Sequence, residues 1–256
     1  MFLTTEDGLR LAANRTGEGP PVVLVHGSAG GLDSWDPIVP LLRDRYELWT
    51  YARRGYAPSD SDIGPKTFAD DVTDLRAVLT AAGGTAHVVG ASYGATVALH
   101  AALTSPAIRS LVVFEPPVFS AGPALAGALG RYRALLDAGD LLGAARLLAA
   151  EVARVPAPVL PAITAPPQPE AIGCLHDLEA MAADTTDIAR WSGITAPTLL
   201  LQGSDTWPPM PGTMEALAAA LPSAARTVLP GQSHFATHTA PDLFAAALTE
   251  FLRKHD

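Results

Sequence analysis

The sequence predicts an α/β protein with a doubly wound, mostly parallel sheet that is interrupted once by a helical insertion. Short apolar runs without polar alternation are typical of strands buried on both faces of such a sheet. Helical stretches follow these runs in regular alternation, which indicates right-handed crossovers. One long segment breaks the alternation, and we interpret it as the insertion.

The predicted strands cover residues 21–25, 46–51, 86–90, 110–114, 197–201 and 225–229. The predicted helices cover residues 68–82, 95–104, 214–221 and 242–254. Residues 2–14, broken at Asp7-Gly8, are expected to add an antiparallel hairpin at one edge of the sheet. Residues 1–115 and 194–256 then form the core domain.

Residues 116–193 form the predicted insertion. Residues 125–137 and 141–155 are rich in alanine and are predicted to be helical. Residues 156–169, which follow, contain six prolines, too many for a helix or a central strand. The strands on both sides are needed to complete one sheet, so an insertion is favoured over a separate domain.

Composition excludes several classes of protein. The 256 residues are 48% hydrophobic and 17% charged, enough for a large core. The net charge of −9 argues against a nucleic-acid partner. The single cysteine, Cys174, allows neither an internal disulfide nor a cysteine-based zinc site, and no other metal site is expected. No apolar run is long enough to span a membrane and the N-terminus resembles no signal peptide, so we expect a cytoplasmic protein.

The motif Gly90-Ala91-Ser92-Tyr93-Gly94 follows a predicted strand and opens a predicted helix. A serine on so tight a strand-to-helix turn is exposed above the sheet, and glycine at both flanking positions avoids steric collision. Ser92 is therefore the candidate nucleophile. The predicted oxyanion donors are the backbone N–H of Tyr93 and that of Ser28, in the glycine-rich loop after the first apolar strand.

A serine nucleophile needs a base, and the base needs an acid. His234, directly after the last predicted strand, is favoured over His238, which precedes a helix start. Asp205, directly after the fifth predicted strand, is the predicted acid and gives the chain order Ser92, Asp205, His234. Glu115 also stands at the C-terminal end of a strand and remains the rival acid.

Other side chains are assigned from their positions in the chain. His26, Trp35, His176, Trp207 and Phe235 border the candidate loops or fall in the insertion, and we expect them to line a substrate pocket. Asp70, Asp71 and Asp74, near a helix start, are interpreted as surface charges that complement the helix dipole. No glycine-rich nucleotide-binding motif is present, and no cofactor is expected.

These motifs resemble the α/β-hydrolase superfamily along nearly the whole chain outside the insertion. The resemblance is carried by His26-Gly27-Ser28, the Gly90–Gly94 motif, the Asp205 turn, and Ser233-His234 with Pro241 seven residues later. Arg54-Gly55 resembles the family's D-x-R-G-x-G-x-S turn but has Ala52 and Ala57 where Asp and Gly are usual. The resemblance implies that residues 116–193 form a lid over the pocket, as in small lidded bacterial hydrolases.

The sequence thus predicts a serine hydrolase that cleaves an ester or similar acyl bond of a small apolar substrate through an acyl-enzyme. Lactone, thioester or carbon–carbon bond hydrolysis, perhydrolysis, a biosynthetic cyclisation or elimination, and a ligand-binding module on the same fold remain open alternatives. The expected partner is a small molecule, and the sequence leaves the oligomeric state open.

Overall fold

A computed structural model describes residues 1–61 and 63–256, which fold around one eight-stranded sheet. The strands are β1 (Phe2–Thr4), β2 (Arg10–Thr16), β3 (Pro21–Val25), β4 (Glu47–Tyr51), β5 (Ala86–Ala91), β6 (Ile108–Phe114), β7 (Thr198–Gly203) and β8 (Ala224–Leu229). Their order in the sheet is β1-β2-β4-β3-β5-β6-β7-β8. Strands β3 to β8 are parallel, and the β1–β2 hairpin joins β4 in antiparallel orientation. The predicted fold class is confirmed.

Helices cover both faces of the sheet. They are α1 (Val39–Leu42), α2 (Phe68–Ala81), α3 (Tyr93–Ala102), α4 (Ala126–Asp137), α5 (Leu141–Leu147), α6 (Gln168–Ala182), α7 (Met210–Ala220), α8 (Ala236–Thr239) and α9 (Pro241–Leu252). One apolar core contains buried side chains of α2, α3 and α7, and the second contains those of α1 and α9. The central strands contribute alternate residues to each core, which explains their continuous apolar runs.

The chain between β6 and β7, residues 116–193, is called the helical segment below. It contains α4, α5 and α6, a π-helical turn at Leu148–Val152 and short 3₁₀ turns at Pro123–Leu125, Leu160–Ala162 and Ala189–Gly193. The proline-rich stretch is irregular apart from one of these turns, but α6 already begins at Gln168. Pro169 is tolerated there because the first turn of a helix needs no N–H donor at that position.

Among residues 1–61 and 63–256, no helix is long and apolar enough to cross a membrane.

Candidate active site

Ser92 lies on the turn between β5 and α3, in a backbone conformation that few side chains adopt. Its φ is 53° and its ψ is −124°. A Cβ on Gly90 would lie 2.4 Å from the carbonyl oxygen of Gly94, and one on Gly94 would lie 2.3 Å from that of Val25. Only glycine fits these two positions, so the local sequence is what permits the turn.

His234 lies between Ser92 and Glu115 and forms a hydrogen bond with each. The imidazole comes from the loop after β8, and its Nε2 is 3.1 Å from Ser92 Oγ. Its Nδ1 is 2.7 Å from Glu115 Oε2. An ionised carboxylate only accepts hydrogen bonds, so Nδ1 carries the proton and Nε2 is free to accept the serine proton. This geometry is the one that a serine nucleophile, a base and an orienting acid require.

Glu115 is fully buried at the end of β6, where its φ is 47°. Its Oε1 accepts a hydrogen bond of 2.9 Å from the Gly203 backbone N–H. Its Oε2 accepts a hydrogen bond of 3.0 Å from Thr206 Oγ1, in addition to that from His234. Three donors from two regions, the end of β7 with the loop after it and the loop after β8, therefore compensate the burial of this carboxylate and fix its orientation.

The predicted pairing of Asp205 with His234 is wrong in this structure. The Asp205 side chain is exposed, and its Oδ1 accepts a hydrogen bond from Ser204 Oγ at 2.7 Å. Its backbone N–H donates to the Gln232 carbonyl at 2.8 Å, so Asp205 supports the loop before His234 only through its main chain. Both carboxylates follow neighbouring parallel strands, and Glu115 follows the strand that adjoins β5 and therefore Ser92.

The two residues predicted to supply oxyanion donors both lie beside Ser92. Tyr93 is the first residue of α3, so its N–H is among the four that lack a partner within the helix. The loop that carries Ser28 approaches closely, since a Cβ on Gly27 would lie 3.1 Å from Ser92 Cβ. Ser28 and Ser92 line the same cavity.

A cavity of about 470 Å³ opens at Ser92 and His234 and extends under the helical segment. Its wall is predominantly apolar and includes Leu148, Ala149, Val152, Met181 and Phe119. Of the predicted pocket residues, Trp207 and Phe235 line this cavity. The Trp207 indole N–H donates to the Ala153 carbonyl at 3.0 Å and so ties the β7–α7 loop to the helical segment.

The other predicted pocket residues lie elsewhere. His26 and Trp35 line a second, more polar hollow of about 430 Å³ that also reaches Ser92, together with Asp33 and His238. His176 borders neither space; its Nδ1 lies 2.9 Å from Glu179 Oε2, so its placement in the pocket is a wrong prediction.

Sequence reasoning also misplaced two acidic side chains of α2. Asp71 and Asp74 are 1% and 0% exposed, and both accept hydrogen bonds from buried cations. Asp71 accepts from Arg53 and Lys66. Asp74 accepts from Arg54. Arg54 belongs to the arginine-glycine turn described above. The i, i+3 spacing of the two aspartates on one helix face was the available signal, because such positions share a side.

Burial also shifts the pKa values of His26 and Cys174. Desolvation and the neighbouring Arg53 charge lower the pKa of His26 to about 3, so the ring is neutral near pH 7. Its Nδ1–H donates to the Gly27 carbonyl at 2.7 Å, and its Nε2 accepts from the Arg53 N–H at 3.0 Å. Burial and the Asp177 charge raise the pKa of Cys174 to about 12, so this thiol is not activated.

Within the described residues, no group of three or more His, Cys, Asp or Glu side chains could hold a metal ion.

The chain belongs to the alpha/beta hydrolase family, whose model matches residues 22–247. Its fold and the serine-bearing turn between β5 and α3 agree with this membership, and its activity is that of a hydrolase of this type.

Similar proteins include two of known structure. An alpha/beta hydrolase from Sphaerobacter thermophilus is 32% identical with a TM-score of 0.87, over 98% of this chain and 100% of that one. A thermophilic esterase from Thermogutta terrifontis is 25% identical with a TM-score of 0.79, over 100% and 99%. A relative from Azorhizobium caulinodans that bears the name carbamate hydrolase is 35% identical over 99 residues, which span 38% of this chain and 37% of that relative.

Proposed function

We propose that this protein is a serine hydrolase that cleaves a carboxylic ester with an apolar acyl group through an acyl-enzyme. The observation that carries the proposal is the hydrogen-bonded series Ser92 Oγ, His234 and Glu115 at the mouth of the apolar cavity. An isolated serine hydroxyl is a weak nucleophile at neutral pH, and this series supplies the base and acid that it needs.

In the first half of the reaction, Ser92 Oγ attacks the ester carbonyl carbon while His234 Nε2 takes the hydroxyl proton. The Ser28 and Tyr93 backbone N–H groups stabilise the negative carbonyl oxygen, and Glu115 stabilises the imidazolium. The bond between the carbonyl carbon and the leaving alkoxide then breaks, and His234 returns its proton to that oxygen. The products are an alcohol and the acyl-enzyme on Ser92.

Water completes the reaction by the same steps. His234 takes a proton from the water as its oxygen attacks the acyl carbon, and it then protonates Ser92 Oγ as the carboxylic acid leaves. The reaction splits the substrate into an acyl chain and a leaving group, and two spaces lie beside Ser92. In this proposal the acyl chain binds in the apolar cavity and the more polar leaving group binds in the second hollow. The helical segment, which forms much of the cavity wall, acts as the lid in this proposal.

A fluorophosphonate probe tests the nucleophile. We expect it to label Ser92, as located by peptide mass spectrometry, and we expect Ser92→Ala to remove labelling and to lower kcat for p-nitrophenyl butyrate by a factor of about 10⁴ or more. Ser223→Ala, which removes an exposed serine hydroxyl directly before β8, is the matched control and is expected to retain both. Labelling of another residue, or substantial turnover by Ser92→Ala, would refute the mechanism.

One relative bears the name carbamate hydrolase, so a carbamate is a second candidate for the substrate class. A carbamate presents the same carbonyl geometry to Ser92 but expels a poorer leaving group when its C–N bond breaks. A parallel assay of matched ester, lactone, thioester and carbamate substrates with one common acyl size separates these activities. We expect the ester to give the highest kcat/KM, and a carbamate preference would reassign the substrate class.

A further inference from the structure

Four buried ionic side chains form a cluster beside the catalytic loops. They are two cations, Arg53 and Lys66, and two carboxylates, Asp71 and Asp177, and none is more than 3% exposed. The two signs balance, as a buried charged group requires if it is to remain ionised. Arg53 and Lys66 each contact both carboxylates, so the cluster is one connected unit.

Asp177, on α6 of the helical segment, connects this cluster to Ser28. Its carboxylate accepts two hydrogen bonds of 2.8 Å from the Arg53 guanidinium and lies 2.9 Å from Lys66 Nζ. Tyr56 Oη donates to Asp177 Oδ2 at 2.6 Å, and Ser28 Oγ donates to the same oxygen at 2.7 Å. Burial opposes ionisation, but the Arg53 and Lys66 charges hold the pKa of Asp177 well below its ordinary value.

Asp71 makes the corresponding connection to Tyr93. The Tyr93 hydroxyl donates to Asp71 Oδ2 at 2.6 Å, while Lys66 Nζ donates to Asp71 Oδ1 at 3.0 Å. The side chains of both predicted oxyanion residues therefore end on the same cluster, although their backbone N–H groups come from different loops.

The cluster also holds the backbone of the loop before and after Ser28. Arg53 Nε donates to the His26 carbonyl at 3.0 Å, and Arg53 Nη2 donates to the Gly27 carbonyl at 3.2 Å. The Ala29 N–H donates to Tyr56 Oη at 3.3 Å. Four consecutive residues, 26–29, are thus fixed by contacts that lead to Arg53 or Asp177.

We propose that this ion cluster positions the two oxyanion donors, and that Asp177 makes the helical segment a structural part of the oxyanion hole. The inference rests on the proposed function, because it assumes the donors named there. Oxyanion donors stabilise a transition state only when they are preorganised, and a fully bonded buried network supplies that rigidity. Asp71 and Asp177 are positioning residues in this account, since they touch no reacting atom.

Ser28→Ala and Tyr93→Phe test the proposal, because each removes one hydroxyl contact to the cluster and retains the backbone N–H. We expect each to lower kcat, and the second-order rate of fluorophosphonate labelling, about tenfold with KM nearly unchanged, since small displacements of catalytic groups are costly. Ser28→Thr, which keeps a hydroxyl donor, should recover most of the loss.

Matched controls separate positioning from general destabilisation. Ser110→Ala removes a buried hydroxyl that contacts His87 Nδ1 at 2.7 Å, and Tyr51→Phe removes a buried hydroxyl that has no partner among the described residues. Neither should change the labelling rate, even where thermal unfolding shifts. Wild-type labelling rates in both Ser28→Ala and Tyr93→Phe would overturn the positioning proposal.

Asp177→Asn provides a coupling test. If Ser28 acts through Asp177, adding Ser28→Ala to Asp177→Asn should change the labelling rate less than twofold, whereas independent effects would multiply. If Asp177→Asn does not fold, the single variants decide. Failure of the probe to label Ser92 in the wild-type protein would refute the proposed function itself, whereas labelling of Ser92 at unchanged rates in the variants refutes only the positioning role.

Discussion

Glu115 illustrates how a single side chain gains its role from its neighbours. Three donors converge on its carboxylate, and one of them is the imidazole that contacts Ser92. A buried carboxylate with these partners stays oriented without help from water, and it can stabilise an imidazolium without moving.

We expect Glu115→Gln to lower kcat for ester hydrolysis by a factor of about 10² to 10⁴, because an amide can hold His234 in the wrong tautomer and cannot stabilise its positive charge. Asp205→Asn is the matched control, and we expect less than a threefold change, as its side chain is exposed. Steady-state kinetics of the two purified variants compare these effects. A larger loss in Asp205→Asn would restore Asp205 as the acid.

His26 is a second residue whose chemistry follows from burial. The neutral ring receives the Arg53 N–H at Nε2, so a proton there would displace that bond and add a second charge beside the guanidinium. The folded pKa of about 3 lies below the ordinary 6.5, so the unfolded chain binds the extra proton first as pH falls. The stability contributed by neutral His26 is present above pH 6.5 and declines as pH falls toward 3.

From this shift we expect His26 to account for about 2 kcal/mol of lost unfolding free energy between pH 7 and pH 5. Urea titrations of wild type and His26→Gln at the two pH values measure it, because the variant lacks that part of the decline. Equal pH dependence in the two proteins would show that His26 is not held neutral.

Among the secondary-structure elements, the β5–α3 turn has the strictest local requirement. Gly94 packs against the backbone carbonyls of β3, the neighbouring strand, and of His26 after it. A methyl group there would force the turn away from the sheet, and the side chain of Ser92 would move with it.

We therefore expect Gly94→Ala to lower the free energy of unfolding by about 3 kcal/mol or more, through backbone collision. Gly130→Ala is the matched control, since Gly130 lies in α4 with open space at its Cβ position. Alanine there should stabilise the protein by up to about 1 kcal/mol, as in any helix interior. Chemical denaturation of both variants checks the contrast, which a tolerated Gly94→Ala would contradict.

The π-helical turn is the element that differs most from expectation. The alanine-rich sequence predicts one helix over residues 141–155, but α5 ends at Leu147 and the π-helical turn follows it. Leu148, Ala149 and Val152, all in this turn, line the apolar cavity. Such π-helical turns often occur at functional sites, because they redirect side chains without ending the helix.

At the scale of the whole molecule, residues of the helical segment and residues of the sheet loops, including Ser92 and His234, line the same cavity. Its volume therefore depends on side chains of the segment as much as on those of the sheet loops. Ala149, which is 8% exposed, is small enough to leave room for an acyl chain.

We expect Ala149→Phe to lower kcat/KM for a p-nitrophenyl hexanoate about tenfold relative to the acetate, since one filled pocket position changes binding by roughly 1–3 kcal/mol. Ala219→Phe, on an exposed position of α7, is the control and should leave the ratio unchanged. Parallel kinetics with the two esters give the ratio. An unchanged ratio in Ala149→Phe would place the acyl chain elsewhere.

The sequence by itself determined the sheet, the helices that cover it and the Ser92 turn, because each rests on local rules of periodicity, chain reversal and glycine geometry. It also indicated His234, which follows the last strand directly. These features depend on residues that are close along the chain.

The tertiary structure alone decided which acid contacts His234, which histidines border the cavity and which α2 aspartates are buried. Glu115 and Asp205 both follow parallel strands, and the order of those strands and the packing of the loops select between them. Asp177 and Ser28 are 149 positions apart in the chain yet share a hydrogen bond. Burial and charge pairing arise from residues distant in sequence, so local patterns cannot specify them.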